Sequence, residues 1–146
     1  MNTQVDKIYR GDASFRIDEF QAAVLGLPEK QKVMHQVTNY FGPNIYLREM
    51  AAKAGDVVVG RSHKEEHLFS LVSGVIIVVD EDGVRTKIAA PMVYRAKKGR
   101  KIIYIIEDAR FQNIWSTSET NVEKLEAELA WDDNLVVNPK LLNKEY

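Results

Sequence analysis

Between residues 33 and 115 the hydrophobic positions of this chain recur in short stretches, several of them alternating with polar residues. Turn residues separate the stretches: Gly42-Pro43-Asn44, Ala54-Gly55-Asp56, Asp80-Glu81-Asp82-Gly83 and Lys98-Gly99. This pattern predicts short antiparallel strands joined by tight turns and closed into a sandwich or barrel. Residues 75–79 and 102–106 are apolar at every position, so both faces of these strands need cover. One face would line the barrel, and the other would pack against helices or a second subunit, which makes a dimer or higher homo-oligomer the expectation. Ahead of the strands, Asp18 is placed to cap a short helix running to about Gly26, with Phe20, Val24 and Leu27 on one stripe and Pro28 ending it. After them the period lengthens to that of a helix: Val122, Leu125 and Leu129 form a stripe behind a capping box of Thr120 and Glu123. The tail after Trp131 follows neither period. The chain thus divides into an N-terminal extension with a short helix (1–43), a β-barrel (44–117) and a C-terminal helix with a tail (118–146).

Composition narrows the chemistry. A chain of 146 residues is one domain, long enough to bury about two thirds of its unfolded surface. Lys and Arg number 20 against 21 Asp and Glu, a net charge of −1, so no global field favours a nucleic acid polymer or an anionic membrane. Cysteine is absent, which excludes disulfides, thiol nucleophiles and zinc-thiolate sites and fits a reducing compartment. There is neither an apolar run of membrane-spanning length nor a signal-peptide core, so a cytoplasmic location is expected. No phosphate-cradling glycine loop and no nucleophile elbow occurs.

Candidate chemistry concentrates in residues 55–74, GDVVVGRSHKEEHLFSLVSG, which hold His63 and His67 between two glycines. Val57, Val59, Arg61 and His63 fall at period two, and His67 rejoins them if the alternation continues. A strand that turns Val57 inward would therefore turn three nitrogen-bearing side chains inward as well. The run His63-Lys64-Glu65-Glu66-His67 also has the four-residue histidine spacing of a zinc helix, but it lies in strand-and-turn text. A helix here would overturn the fold reading.

The block resembles the first signature of the cupin family: glycine, five residues, His-x-His, three or four residues, glutamate, six residues, glycine. Gly55 and Gly74 take the glycine positions, Arg61 and His63 the histidine positions, and His67 the glutamate position. For the second signature, a proline and a glycine before a last histidine, the best match is Pro91 and Gly99, which stand too far apart and put Ile102 at the histidine position. Over residues 44–117 the resemblance implies a mostly β fold, a cupin-like double-stranded β-helix or jelly-roll barrel. The runs GPNIYLREM, SHKEEHLFSLVSG and TNVEKLEAEL also look like those of bacteriophage-encoded cupin-like proteins, which would place the chain in a host cell's cytoplasm.

Three functions compete on these residues. In the first, the barrel holds a small anionic, nucleotide-like ligand between Tyr46, Arg48, Arg61, His63, His67 and Tyr104. Arginine forks and imidazoles suit carboxylate or phosphate, and the basic run Arg95, Lys97, Lys98, Arg100 and Lys101 would draw the ligand in. Against this, the lysines can form a solvated hairpin, and Arg61 can pair with Glu49, Glu65 or Glu66. In the second, His63 and His67 bind a divalent transition metal for catalysis, with a third ligand from His35, Gln112 or Asn113. The charge of Arg61 beside the ion would oppose binding. In the third, the barrel is a structural subunit of a phage particle and the histidines complete a polar core. Phe111 and Trp115 fit any of the three.

Overall fold

The computed structural model describes residues 36–60, 62–129 and 135–137, the last three by backbone alone. The helix expected from Asp18, His35 and Arg61 lie outside these residues. The strands are β1 (Gln36–Gly42), β2 (Ile45–Ala52), β3 (Val57–Val59), β4 (His67–Val79), β5 (Arg85–Ala89), β6 (Met92–Ala96), β7 (Ile102–Ser116) and β8 (Leu135–Val137), with one helix, α1 (Val122–Leu129), before β8. The fold is mostly β, as expected, and its sheet begins with β1, ahead of the boundary drawn at residue 44. All four turn clusters read from the sequence fall between strands or at strand ends. The Pro43-Asn44 turn shows why: Pro43 sets one dihedral angle, and Asn44 tolerates the left-handed conformation at φ 58°. No helix among the described residues is long and apolar enough to cross a membrane.

Two long strands organise the sheet. β4 pairs antiparallel with β7 along its whole length, from Leu68 opposite Ile114 to Val79 opposite Ile102. Toward one end the sheet order is β1-β2-β7-β4-β6, and toward the other β8-β3-β7-β4-β5. The register shifts between Leu71 and Ile76, where β-bulges bend the ladder and the two halves turn toward each other. Gly74 occupies the bend at φ +92°, and a methyl group there would collide with the Asp108 carbonyl oxygen and lie 2.7 Å from Ala109 Cα. The halves enclose one core, in which Met50, Phe69, Leu71 and Phe111 meet Val58, Ile76, Ile103 and Ile105. In the all-apolar segments, Ile76 to Val79, Ile102, Ile103 and Ile105 are buried, and Val75, Tyr104 and Ile106 are half-buried.

Helix α1 closes one end. Leu125 and Leu129 pack on Tyr46 and Trp115, and the fully buried Leu125 contributes about 2 kcal/mol by apolar burial. The N-cap is Asn121, whose Oδ1 accepts the Lys124 N–H at 3.1 Å, and not Thr120 as the capping-box pattern predicted. Glu119, ahead of the helix, accepts the Thr120 N–H at 3.0 Å and the Asn121 N–H at 3.5 Å, and the helix starts one residue later than the pattern implied.

The bend gives a first prediction. Gly74→Ala combines positive-φ strain with a backbone collision and should lower stability by more than about 3 kcal/mol. Gly83→Ala, at φ +80° with nothing within 4 Å of the added methyl, should cost only about 1 kcal/mol. Urea titration at an unchanged slope measures both, and equal losses would show that the close approach does not matter.

Candidate functional site

β3 ends at Val59, and the chain then crosses to the loop before β7. Gly60 N–H donates to the Lys101 carbonyl at 2.8 Å, and His63 exchanges two backbone hydrogen bonds with Gly99 at 3.0 and 2.9 Å. Lys64 ties the same loop to the C-terminus of α1: its N–H donates to the Leu129 carbonyl at 3.0 Å and its Nζ to the Ala127 carbonyl at 2.7 Å. A cation on terminal helix carbonyls complements the helix dipole. Residues 62–66 are therefore turn and bridge, and the zinc-helix reading falls away.

The crossing also changes the parity of the strand. Val58 and Gly60 share a cavity with His63, whereas the sequence pattern had assigned Val57 and Val59 to that side. The register places Val57 and Val59 opposite Tyr104 and Ile102, on the other face of the sheet. Tyr104 and Ile102 thus face away from the cavity, and Ile103 lines it. The period-two count failed because it was carried through a break in the strand.

Inside the cavity the two imidazoles lie with ring centroids 4.4 Å apart, both against Trp115 at 5.7 and 4.9 Å. Trp115 stacks on Tyr46, and Tyr46 on Phe41, so Tyr46 belongs to the plugged end. Tyr46 is buried and donates its hydroxyl to Asn39 Oδ1 at 2.6 Å. His67 Nδ1 lies 3.2 Å from the Glu65 carbonyl and Nε2 lies 2.7 Å from Asn113 Oδ1. Burial lowers the pKa of His67, outweighing both hydrogen bonds, while Lys101 lowers it further. The neutral ring donates from Nδ1 to Glu65 and accepts at Nε2 from the amide end of Asn113; the charged ring donates at both, to the oxygen end. Arg48 stands opposite Asn113 in the β2–β7 register. The cavity lined by Arg48, His63, His67, Asn113 and Lys101 measures about 30 Å³, room for roughly one water.

Of the metal ligands expected from the sequence, His63 and His67 are neighbours here, and His35 lies outside the described residues. Among the described residues no three His, Cys, Asp or Glu side chains converge. Both nitrogens of His67 are engaged by the protein, and Arg48 and Lys101 set positive charge in the same cavity. Gln112, a proposed third ligand, points to the opposite face of β7 and donates to Glu49 Oε1 at 2.8 Å. Nor do the proposed acidic partners of Arg61 stand idle: Glu66 pairs with Arg95 at 2.6 Å, and Glu49 with Arg110 at 3.8 Å.

A larger space lies on the other side of a wall formed by Phe69 and Tyr94, whose rings are 5.1 Å apart. This groove of about 460 Å³ runs between β5, β6, the turn after β4 and the loop before β7. Its apolar surface comes from Val78, Val84, Ile88, Met92 and Tyr94, and its cations are Lys87, Arg95, Lys97, Lys98, Arg100 and Lys101. Three acids also line it, but two hold backbone in place. Asp80 Oδ1 accepts the N–H groups of Asp82 and Val84 at 2.9 Å each, and Glu81 Oε1 accepts the Arg100 N–H at 2.7 Å. Lys87, Lys97 and Lys98 make no ion pair among the described residues. Lys101 lines both the groove and the histidine cavity, with its Nζ 5.8 Å from the Tyr94 ring centre. Burial lowers the Lys101 pKa, Asp80 opposes that and Lys97 adds to it. Burial also pushes the Tyr94 phenol up to about 12, so it stays protonated.

Of the expected ligand residues, Arg48, His63 and His67 come together, but around a space too small for a nucleotide. The basic run does border a space of ligand size. Sequence reasoning missed Phe69 and Tyr94, although the alternation Met92, Tyr94, Ala96 was there to be read.

No protein-family model and no curated protein matches the chain. Among solved structures it resembles ectoine synthase from P. lautus, with a TM-score of 0.54 at 13% identity, over 75% of this chain and 84% of that one. A cupin superfamily protein from Desulfitobacterium hafniense DCB-2 gives 0.49 at 10% identity (62% and 84% covered), and a Schizosaccharomyces pombe cupin domain 0.47 at 17% (68% and 77% covered). The first likeness supports the cupin jelly-roll fold, and identities this low speak of fold alone.

The buried His67 makes stability depend on pH. Its folded pKa lies below the ordinary 6.5, so the unfolded chain takes up a proton first as pH falls. Stability should hold above about pH 6.5 and drop as pH falls from there toward the folded pKa. In His67→Gln that part of the drop should disappear, as read from denaturant midpoints between pH 7.5 and 5.

Proposed function

We propose that this cupin-fold chain binds a small anionic molecule with a flat apolar body, nucleotide-like in charge and size, and that it does so in the groove. The carrying observation is the ring of lysines and arginines around the apolar floor of Val78, Ile88 and Tyr94. The volume of about 460 Å³ falls within the usual range for ligand sites, roughly 300 to 1,000 Å³, whereas the histidine cavity lies far below it. Charge supports the same choice. Lys87, Arg95, Lys97, Lys98, Arg100 and Lys101 line the groove against Asp80, Glu81 and Asp82, an excess of positive charge that favours an anion. A flat ring laid on Tyr94 would add stacking, worth about 1 to 3 kcal/mol for a base. The similarity to phage-encoded cupin-like proteins extends the proposal to capture of a nucleotide-like molecule of the host.

Titration calorimetry against a panel of mononucleotides, dinucleotides and cyclic nucleotides tests this. At least one member should bind at a single site, with affinity that falls as salt rises. Lys97→Glu with Lys98→Glu should weaken it at least tenfold, about 1.4 kcal/mol. No binding by any member would refute the proposal.

A further inference from the structure

Lys101 differs from the other lysines of the groove. Its carbonyl is anchored by Gly60 N–H just ahead of β7, its Nζ lies 5.8 Å from the Tyr94 ring centre, and it lines both the groove and the histidine cavity. Lys97 and Lys98 sit in the exposed loop at the rim. We propose that Lys101 is a reactive amine that condenses reversibly with the carbonyl group of a small anionic aldehyde or ketone held in the groove. The proposal rests on the groove as an anion site and concerns anions that carry a reactive carbonyl, which a nucleotide base does not.

Such an amine must be partly neutral, because an ammonium group has no lone pair to attack with. Half-burial against Tyr94 disfavours the charged form, and Lys97 disfavours it further, while Asp80 works the other way. The same rim of cations that favours phosphate or carboxylate would hold the substrate's anionic group and turn its carbonyl carbon toward the amine.

The reaction balances without an oxidant or reductant. The Nζ lone pair attacks the carbonyl carbon, a C–N bond forms, and the π pair moves to oxygen. A proton passes from nitrogen to that oxygen, giving a carbinolamine. Loss of the hydroxyl as water, with a second N–H proton, leaves the imine. His63 lines the cavity that Lys101 also lines, and imidazole is the side chain suited to carrying these protons near neutral pH. That cavity has room for roughly the one water released.

Reductive trapping provides the test. The full chain is incubated with glyoxylate and sodium cyanoborohydride, then followed by intact mass and peptide mapping. One adduct per chain should form on Lys101 well before any other lysine reacts. It should be lost in Lys101→Arg and kept in Lys53→Arg. Labelling spread over the exposed lysines of the wild-type chain would overturn the proposal, as would a single adduct that persists in Lys101→Arg. A parallel arm with acetaldehyde, which is neutral, separates the two readings. Equal trapping of both aldehydes on Lys101 would keep the reactive amine and remove the anion groove. Nucleotide binding by calorimetry with no adduct on Lys101 would keep the groove and remove the amine.

Discussion

The fold depends on the close approach of β4 to β7 at Gly74. Two long strands share one ladder, and at its middle the backbone of one comes so near Asp108 and Ala109 of the other that no side chain fits. That contact bends the ladder and turns two half-sheets into the walls of one barrel. Core packing follows from it, because Phe69, Leu71 and Phe111 of one half reach Ile76, Ile103 and Ile105 of the other only when the ladder folds.

A barrel made this way has two unlike ends. At one, α1 sets Leu125 and Leu129 on Tyr46 and Trp115, and the stack of rings continues down to His67 and His63. The histidines thus form the underside of a plug, with space for little beyond a water molecule. At the other end β5 and β6 each pair, among the described residues, only with β4, and the groove lies between them. The loop of residues 97–101 joins the two ends: Gly99 bridges to His63 on one side, and Arg100 N–H holds Glu81 on the other. Its last residue, Lys101, faces both spaces.

Electrostatics follows the same logic. The net charge of −1 says nothing about the groove, whose lining sets Lys87, Arg95, Lys97, Lys98, Arg100 and Lys101 against Asp80, Glu81 and Asp82. Asp80 also has a structural task, because its carboxylate accepts backbone N–H groups and fixes the turn after β4.

Turn residues, apolar runs and the helical stripe were legible in the sequence because each acts through local rules: preferred dihedral angles, or the period at which side chains reach one face. From them came the barrel and the C-terminal helix. The paired histidines were legible as neighbours for the same reason. Their surroundings were not. The strand broke after Val59, so counting by two put Val57 and Val59 on the side of His63, and only pairing with β7 set the true face. The sequence by itself determined that a β-barrel would carry imidazole and a basic loop. Tertiary structure alone decided that a helix would seal the histidines in while the basic loop bordered open space, because the volume between elements is set by how they pack and not by any one segment.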